Sequence, residues 1–257
     1  MPVLRLLHLS LALLIPALVA ITWGSLLRLR GHSQQSIVMA MSRLVGKLGP
    51  CLAGTPIQVE HPEHLNPQPA VLIFNHQSGL DPVIVAALLR QPVVGVAKQQ
   101  LASNPLLGPL LRLSGTLFVR RGQGWQQQLL PQASQRIAAG FSIVIAPEGT
   151  RTTPTGAAAS VPGPFHLGAF AIARHCQVPL IPIVIHNSGS RLPPRSTQLQ
   201  PGPVYVSVLP ATYVSPQTDL QAAATEMQHR YETCLAQSVD HDHQRSQRNP
   251  PRGSDDK

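Results

Sequence analysis

The sequence predicts an α/β fold with a central, largely buried sheet flanked by helices. Short apolar runs alternate along the chain with longer stretches of helical spacing, an order typical of α/β domains. The runs at residues 70–74 and 180–186 are almost entirely apolar, as strands are when both faces of a sheet are covered. Hydrophobic residues make up 43% of the 257 residues, which is enough for one domain with its own core.

Six strands and five helices are predicted within this domain. The strands lie at residues 70–74, 93–97, 115–119, 141–146, 180–186 and 204–209. The helices lie at residues 81–90, 104–113, 125–139, 166–176 and 220–235. The first of these helices has a clear start, because Asp81 is a favoured N-terminal residue and Pro82 suits the first helical position. Residues 152–164 are rich in Thr, Pro, Gly and Ala and predict a loop.

The chain begins with a nearly unbroken apolar run at residues 6–27, with Arg5 before it and Arg28 and Arg30 after it. Its length matches one bilayer crossing, so it predicts a single N-terminal membrane-anchoring helix. A cleaved signal peptide is the alternative, but residues 18–20 form a poor cleavage site and the run is long for a signal peptide. By the positive-inside rule, the basic residues after the run place the following domain on the cytoplasmic face.

A second helix is predicted at residues 34–48, where apolar residues follow a helical spacing and Arg43 and Lys47 stand off that stripe. It either lies on anionic lipid as an interfacial helix or packs on the domain. We therefore divide the chain into an anchor with this helix (1–50), a globular domain (51–238) and a tail (239–257). The tail consists mainly of His, Gln, Asp, Arg, Asn and Pro and is predicted to be disordered.

The charge distribution limits the possible partners. The formal net charge is +9, although only 12% of the residues are charged. This balance suits nucleic acid or an anionic membrane surface with anionic substrates. Aromatic residues are only 4% and no basic helix motif is visible, so we expect no nucleic-acid partner.

Acidic residues are scarce in the predicted domain. Between His64 and Thr218 the only carboxylates are Asp81 and Glu148. Two carboxylates cannot build an acidic Mg²⁺ or Ca²⁺ site, so no metal is expected. The three cysteines are widely spaced and predict neither a disulfide framework nor a zinc site.

The first candidate site follows the strand at 70–74 and contains His76 and, five residues later, Asp81. A carboxylate that accepts the imidazole N–H orients the ring and leaves the other nitrogen free to take a proton from a substrate hydroxyl. The alternative is that Asp81 only caps a helix and His76 is a loop residue. No Ser or Cys stands out as a nucleophile, which favours direct attack by a substrate hydroxyl.

Two further motifs offer groups for binding an anion. After the strand at 141–146 come Glu148, Gly149, Thr150 and Arg151, which supply a tight turn, a hydroxyl and a guanidinium suited to phosphate. The alternative is a solvated turn with a surface ion pair. The strand at 115–119 ends in the adjacent arginines 120 and 121, and one of the two must face the site edge because side chains alternate along a strand.

Together with the apolar strand motif at 178–185, these motifs resemble the glycerol-phosphate and lysophosphatidate acyltransferase family. The resemblance covers roughly residues 50–215 and is most specific at Asn75-His76 with Asp81 and at Pro147-Glu148-Gly149-Thr150-Arg151. Residues 164–170 are similar to a further stretch of that family. Three residues depart from the family pattern: Ala146 replaces a Phe, His166 replaces a Lys, and Arg120 stands where an Asp is common.

The resemblance implies an acyltransferase domain at 51–238 that acts at a membrane surface. His76 would be the general base and Asp81 its orienting partner. The acceptor's phosphate site would be lined by Arg121, Glu148, Gly149, Thr150 and Arg151. No cofactor is implied.

The implied reaction moves a fatty acyl group from a thioester to the free hydroxyl of 1-acyl-sn-glycerol-3-phosphate and gives phosphatidate. The partners would be membrane lipids, a lysophospholipid acceptor, and acyl-CoA or acyl carrier protein as donor. The alternatives are a different lyso-lipid acceptor, such as lyso-ornithine lipid, and a non-catalytic basic membrane-binding protein.

Overall fold

The computed structural model describes residues 2–65, 69–105, 107–120, 122, 124–152 and 161–248. The strands are β1 (Ile57–Glu60), β2 (Val71–Phe74), β3 (Val93–Lys98), β4 (Leu117–Val119), β5 (Ser142–Ile145), β6 (Leu180–Ile185) and β7 (Val204–Val208). The helices are α1 (Pro2–Leu29), α2 (Gln34–Ala53), α3 (Asp81–Leu88), α4 (Leu107–Leu113), α5 (Trp125–Ala138), α6 (Gly168–Cys176), α7 (Ser188–Arg191) and α8 (Leu220–Arg248). Short 3₁₀ helices lie at Pro62–Leu65 and Gln99–Ser103.

The seven described strands form one sheet in the order β1-β7-β6-β2-β5-β3-β4. All neighbouring pairs are parallel except β6 and β7. Strand β2 is central, and every residue of β2 and of β6 is buried. The predicted fold class, an α/β domain with a largely buried sheet, is therefore confirmed.

The two faces of the sheet are covered by different helices. Helices α5, α6 and α8 pack on the face that includes Val71, Ile73 and Val184. Helix α3, with residues from α1 and α2, packs on the face that includes Leu72 and Ile183. The alternation of buried side chains along β2 and β6 therefore supplies both halves of the core.

One hydroxyl from α8 bonds to the backbone of both β2 and β6. Ile73 lies opposite Pro182 in the parallel register, so the N–H of Ile183 faces the carbonyl of Ile73. The hydroxyl of Tyr231 accepts from the N–H of Ile183 at 3.1 Å and donates to the carbonyl oxygen of Ile73 at 2.8 Å. Tyr231 is fully buried, so α8 is tied to the two central strands.

Helices α1 and α2 form an antiparallel hairpin against the domain. His8 near the start of α1 hydrogen bonds through Nε2 to the carbonyl oxygen of Leu52 near the end of α2 at 2.9 Å. Ala12 of α1 belongs to the core cluster under the sheet. Leu27, close to the other end of α1, belongs to a cluster shared with α2 and α4. The hairpin is therefore attached to the domain along its length.

Helices α2 and α3 touch backbone to backbone. A β-carbon placed on Gly46 would lie 2.5 Å from the backbone nitrogen and α-carbon of Ala87, and one on Gly49 would lie 2.3 Å from Cγ1 of Val83. Only glycine permits this approach. The predicted helix at 34–48 thus packs on the domain and runs on to Ala53, while Arg43 and Lys47 remain exposed.

Two helices have the length and composition to cross a membrane, within α1 (Leu7–Leu29) and over α2 (Gln34–Ala53). Helix α1 also has a stripe of exposed apolar side chains on the side that faces away from α2. The stripe consists of Leu7, Leu11, Leu14, Ile15, Leu18, Val19 and Trp23, each between 38% and 53% exposed. These residues recur every three or four positions, which places them on one side of the helix.

The structure contains elements that the sequence did not predict and extends one that it did. Strand β1 and helix α7 were not predicted. Helix α8 continues to Arg248, so residues 239–248 are helical where the sequence predicted disorder; no Gly or Pro interrupts them. The rest of the predicted tail, 249–257, lies outside the described residues.

Candidate active site

The candidate site lies at the carboxyl ends of three neighbouring parallel strands. Strands β6, β2 and β5 lie side by side, and the carboxyl ends of parallel strands meet at the same edge of a sheet. His76 follows β2, Glu148 follows β5, and the short helix α7 follows β6. The two motifs that sequence analysis judged most specific therefore converge because their strands are adjacent.

His76 and Asp81 form a hydrogen-bonded pair. Nδ1 of His76 lies 2.7 Å from Oδ2 of Asp81, and the side chains are 22% and 0% exposed. Oδ2 also accepts from the backbone N–H groups of Gln77 and Ser78, each at 2.7 Å. Because those donors make Oδ2 an acceptor, Nδ1 of His76 must carry the hydrogen in this contact.

The other ring nitrogen of His76 is available for chemistry. Within the described part of the chain, Nε2 has no hydrogen-bond partner, and the ring is partly exposed. The ring of Phe74 meets that of His76 edge to face, with centroids 5.8 Å apart. The imidazole is thus held by Asp81 and Phe74 on one side and open on the other, as a general base requires.

The turn between β2 and α3 is fastened to the segment after β6. The buried side chain of Asn75 donates to the carbonyl oxygen of Ile185 at 2.8 Å and accepts from its N–H at 2.7 Å. The hydroxyl of Ser78 donates to the carbonyl oxygen of Leu192 at 2.8 Å. These contacts fix the backbone on both sides of His76.

Ser188 is a site residue that sequence analysis missed. It lies at the start of α7, is fully buried, and its hydroxyl donates to Oδ1 of Asp81. Serine is common and no local pattern marks this one. Only the order of the sheet brings it to Asp81, which is 107 residues earlier in the chain.

Glu148 is buried beneath the turn that carries His76. Its Oε1 accepts from the backbone N–H of His76 at 2.7 Å. Its Oε2 accepts from the N–H of Gly163 at 2.8 Å and from the hydroxyl of Thr152. Burial raises the pKa of the Glu148 carboxyl above its ordinary value of 4.5, and the hydrogen bonds from Thr152, His76 and Gly163 oppose that rise.

The resemblance to the family placed Glu148 in the acceptor's phosphate site. Among the described residues, the hydrogen bonds of its carboxylate come from His76, Thr152 and Gly163. The carboxylate therefore joins the end of β2 to Thr152 and to Gly163.

The turn after β5 presents exposed polar groups beside His76. Gly149 has a φ of +64°, a left-handed conformation that favours glycine, and its N–H donates to the carbonyl oxygen of Ala146 at 3.0 Å. Thr150 and Arg151 are exposed. A β-carbon placed on Gly79 would lie 3.9 Å from Nη1 of Arg151, so this guanidinium lies over the turn between His76 and Asp81.

Arg121 lies outside the described residues. Its neighbour Arg120 is exposed after β4, one of the two edge strands of the sheet. In the described part of the chain no group of three or more His, Cys, Asp or Glu side chains is arranged to hold a metal ion.

A model of the family named Acyltransferase matches residues 56–186 of the chain, which include His76, Asp81 and residues 148–151. The chain belongs to the acyltransferase family. The match covers β1 to the end of β6, so it spans the elements that carry His76, Asp81 and Glu148, and it confirms the resemblance found in the sequence.

Relatives of this acyltransferase carry a more specific name. The 1-acyl-sn-glycerol-3-phosphate acyltransferase of Salmonella typhimurium is 30% identical over 208 residues, 77% of this chain and 79% of that protein. The enzyme of the same name from Haemophilus influenzae is 30% identical over 196 residues, covering 74% and 77% of the two chains. The match to a group of enzymes confirms the prediction of an enzyme.

A crystal structure shows the same fold. The 1-acyl-sn-glycerophosphate (LPA) acyltransferase of Thermotoga maritima superposes with a TM-score of 0.69 and 21% identity. The superposition covers 94% of this acyltransferase and 97% of that chain. Coverage this high includes the N-terminal hairpin as well as the sheet.

Proposed function

We propose that this acyltransferase moves a fatty acyl group from a thioester to the free hydroxyl of 1-acyl-sn-glycerol-3-phosphate, giving phosphatidate. The observation that carries the proposal is the His76–Asp81 pair, with the guanidinium of Arg151 over Gly79 in the turn that joins the two residues. A base and a cation on the same turn suit an acceptor that carries both a hydroxyl and a phosphate on a glycerol backbone. The names of the relatives from Salmonella and Haemophilus support the same acceptor.

In the proposed reaction His76 handles the proton at both stages. Nε2 takes the proton of the acceptor hydroxyl while its oxygen bonds to the thioester carbonyl carbon. The tetrahedral intermediate then expels the thiol by breaking the C–S bond, and the sulfur takes the proton from His76. Asp81 stabilises the imidazolium between the two stages through Nδ1–H. The chain needs no covalent intermediate and no cofactor for this sequence.

The acceptor's phosphate would be bound by the turn after β5. Arg151 supplies a planar fork of donors that matches phosphate oxygens, while Gly149 and Thr150 shape the turn. We propose Arg121 as a second phosphate ligand, following the resemblance to the family. The carboxylate of Glu148 accepts from the backbone N–H of His76 and so helps to position the base. The donor would be acyl-CoA or acyl carrier protein.

We also propose that α1 is the single membrane anchor and that the domain lies on the cytoplasmic face. The exposed apolar stripe of α1 offers a surface to acyl chains, and the exposed residues Arg43 and Lys47 suit an anionic leaflet. Because α1 stays attached to the domain at both ends, the anchor lies alongside the domain. An alkaline carbonate wash should leave the full-length protein in the membrane pellet, and release into the supernatant would contradict this proposal.

The reaction is tested with purified protein, labelled acyl-CoA or acyl carrier protein, and a panel of lyso-lipid acceptors. Wild type should prefer 1-acyl-sn-glycerol-3-phosphate. His76→Ala should lose activity by about 10²–10⁴-fold, while His175→Ala, an exposed histidine on α6, serves as the matched control. A preference for lyso-ornithine lipid would replace the proposed acceptor. No transfer to any acceptor would favour a non-catalytic membrane-binding protein.

A further inference from the structure

We propose that Ser188 is a positioning residue for the reaction, acting on His76 through Asp81. The inference rests on the proposed catalytic pair. It adds a third side chain to that pair from a part of the chain that no motif marks.

The hydrogen bonds of Asp81 are divided unequally between its two oxygens. Oδ2 accepts from Nδ1 of His76 and from two backbone N–H groups. Oδ1 accepts from the hydroxyl of Ser188, its one donor among the described residues. Both Asp81 and Ser188 are fully buried. Without that hydroxyl, Oδ1 would be a buried carboxylate oxygen with no donor, which is costly.

The position of Ser188 is fixed independently of Asp81. Helix α7 begins at Ser188 directly after β6, the strand next to β2. The backbone before it is held by Asn75 through Ile185, and the backbone after it by Ser78 through Leu192. Ser188 therefore reaches Asp81 from a rigid support, and its hydroxyl limits rotation of the carboxylate about its Cβ–Cγ bond.

The same hydroxyl affects proton transfer. A donor to Oδ1 stabilises the ionised carboxylate and draws charge away from Oδ2, the oxygen that faces His76. Removing it concentrates charge on the His76 side, so the carboxylate holds the imidazolium that forms during proton transfer more strongly. The other charged groups described around the pair are Glu148, bonded to the N–H of His76, and Arg151, over Gly79. Neither is altered when Ser188 is changed.

The test compares Ser188→Ala with Ser190→Ala in the full-length protein, using the transferase assay described above. Ser190 lies on the same short helix, is exposed, and donates only to the carbonyl oxygen of Asn187 among the described residues. For Ser188→Ala we expect kcat to fall about 10-fold, the scale for losing a hydrogen bond to a charged group. KM for donor and acceptor should change less than about twofold, and the acidic limb of the pH profile of kcat/KM should move to higher pH. Ser190→Ala should match wild type in all of these.

A second comparison separates action through Asp81 from a loss of folding. Thermal unfolding is measured for every variant, and Ser188→Ala is repeated in the Asp81→Asn protein. Once the carboxylate charge is gone, losing the Ser188 hydroxyl should lower kcat by less than about twofold, because coupled residues are not additive. An equal loss in both backgrounds, or an unchanged pH profile with a lower melting temperature, would reduce Ser188 to a structural residue.

The two proposals fail in different ways. If His76→Ala keeps its activity, the proposed catalytic pair is wrong. If His76→Ala is inactive and Ser188→Ala keeps the wild-type kcat and pH profile, only the role of Ser188 is wrong.

Discussion

Replacing Tyr231 by Phe should destabilise the protein without touching the candidate active site. The change removes one oxygen from a fully buried ring. The ring contact with Phe165, whose centroid is 5.2 Å away, is kept. What is lost is the hydroxyl that bonds both to the N–H of Ile183 and to the carbonyl of Ile73.

The expected cost follows from those two groups. Burial raises the pKa of Tyr231 well above its ordinary value of 10.0, so the hydroxyl stays protonated and can donate and accept at once. In the Phe variant the N–H of Ile183 and the carbonyl of Ile73 both lose the hydroxyl, while the parallel register keeps the two groups facing each other. The expected loss is therefore about 1–3 kcal/mol in the free energy of unfolding, the cost of removing one partner from a buried hydrogen-bonding group.

The measurement is urea or thermal unfolding of the purified protein in detergent, with Tyr213→Phe as the matched control. Tyr213 is 68% exposed, so its variant should stay within about 0.5 kcal/mol of wild type. A Tyr231→Phe protein equally close to wild type would refute the reasoning. It would mean that Ile73 and Ile183 pair without help and that the hydroxyl is dispensable.

Three further predictions concern the site. Arg151→Ala should weaken acceptor binding by about 2 kcal/mol and should raise KM for the acceptor far more than KM for the donor. The variant should also lose preference for a lyso-lipid that carries a phosphate. Equal effects on KM for both substrates would count against a phosphate site. Because burial raises the pKa of the Glu148 carboxyl, the folded protein binds the carboxyl proton more tightly than the unfolded chain does. Wild type should therefore lose stability as the pH rises from 4.5 through the pKa of the folded protein. The unfolding midpoint of Glu148→Gln should rise relative to that of wild type over this pH range, and a difference between the two midpoints that does not change with pH would contradict this. Activity should survive chelator and dialysis, and restoration by added zinc or magnesium after a loss would overturn the metal-free mechanism.

The sequence could predict the features that depend on neighbours along the chain. His76 and Asp81 are separated by one turn, so their contact follows from local spacing once a strand and a helix are assigned. The buried strands β2 and β6 were visible as apolar runs. Strand β1 was missed because it lies at the sheet edge and alternates half-buried with exposed residues, next to prolines and histidines that predict a loop.

The features that the sequence could not predict depend on which strands are adjacent. Ser188 meets Asp81, and Tyr231 meets Ile73, only because β6 lies beside β2 and α8 crosses them. Glu148 was found as a site residue, but the sequence does not show that its oxygens are occupied by donors of the chain itself. Helix α8 continues beyond the residues that show apolar helical spacing, which is why its polar end was predicted to be disordered.

The close approach of α2 and α3 has a consequence for where the reaction takes place. Gly46 touches α3 at Ala87, and Asp81 begins the same helix, about 9 Å away along its axis at 1.5 Å per residue. Helix α2 is in turn packed along α1, whose apolar stripe is the surface that we propose contacts lipid. These direct helix contacts would hold the reacting hydroxyl at a height above the lipid that is set by the dimensions of the protein. Under that proposal an acceptor must extend from the lipid by this fixed distance, so the length of its polar head group would itself affect which lipids are accepted.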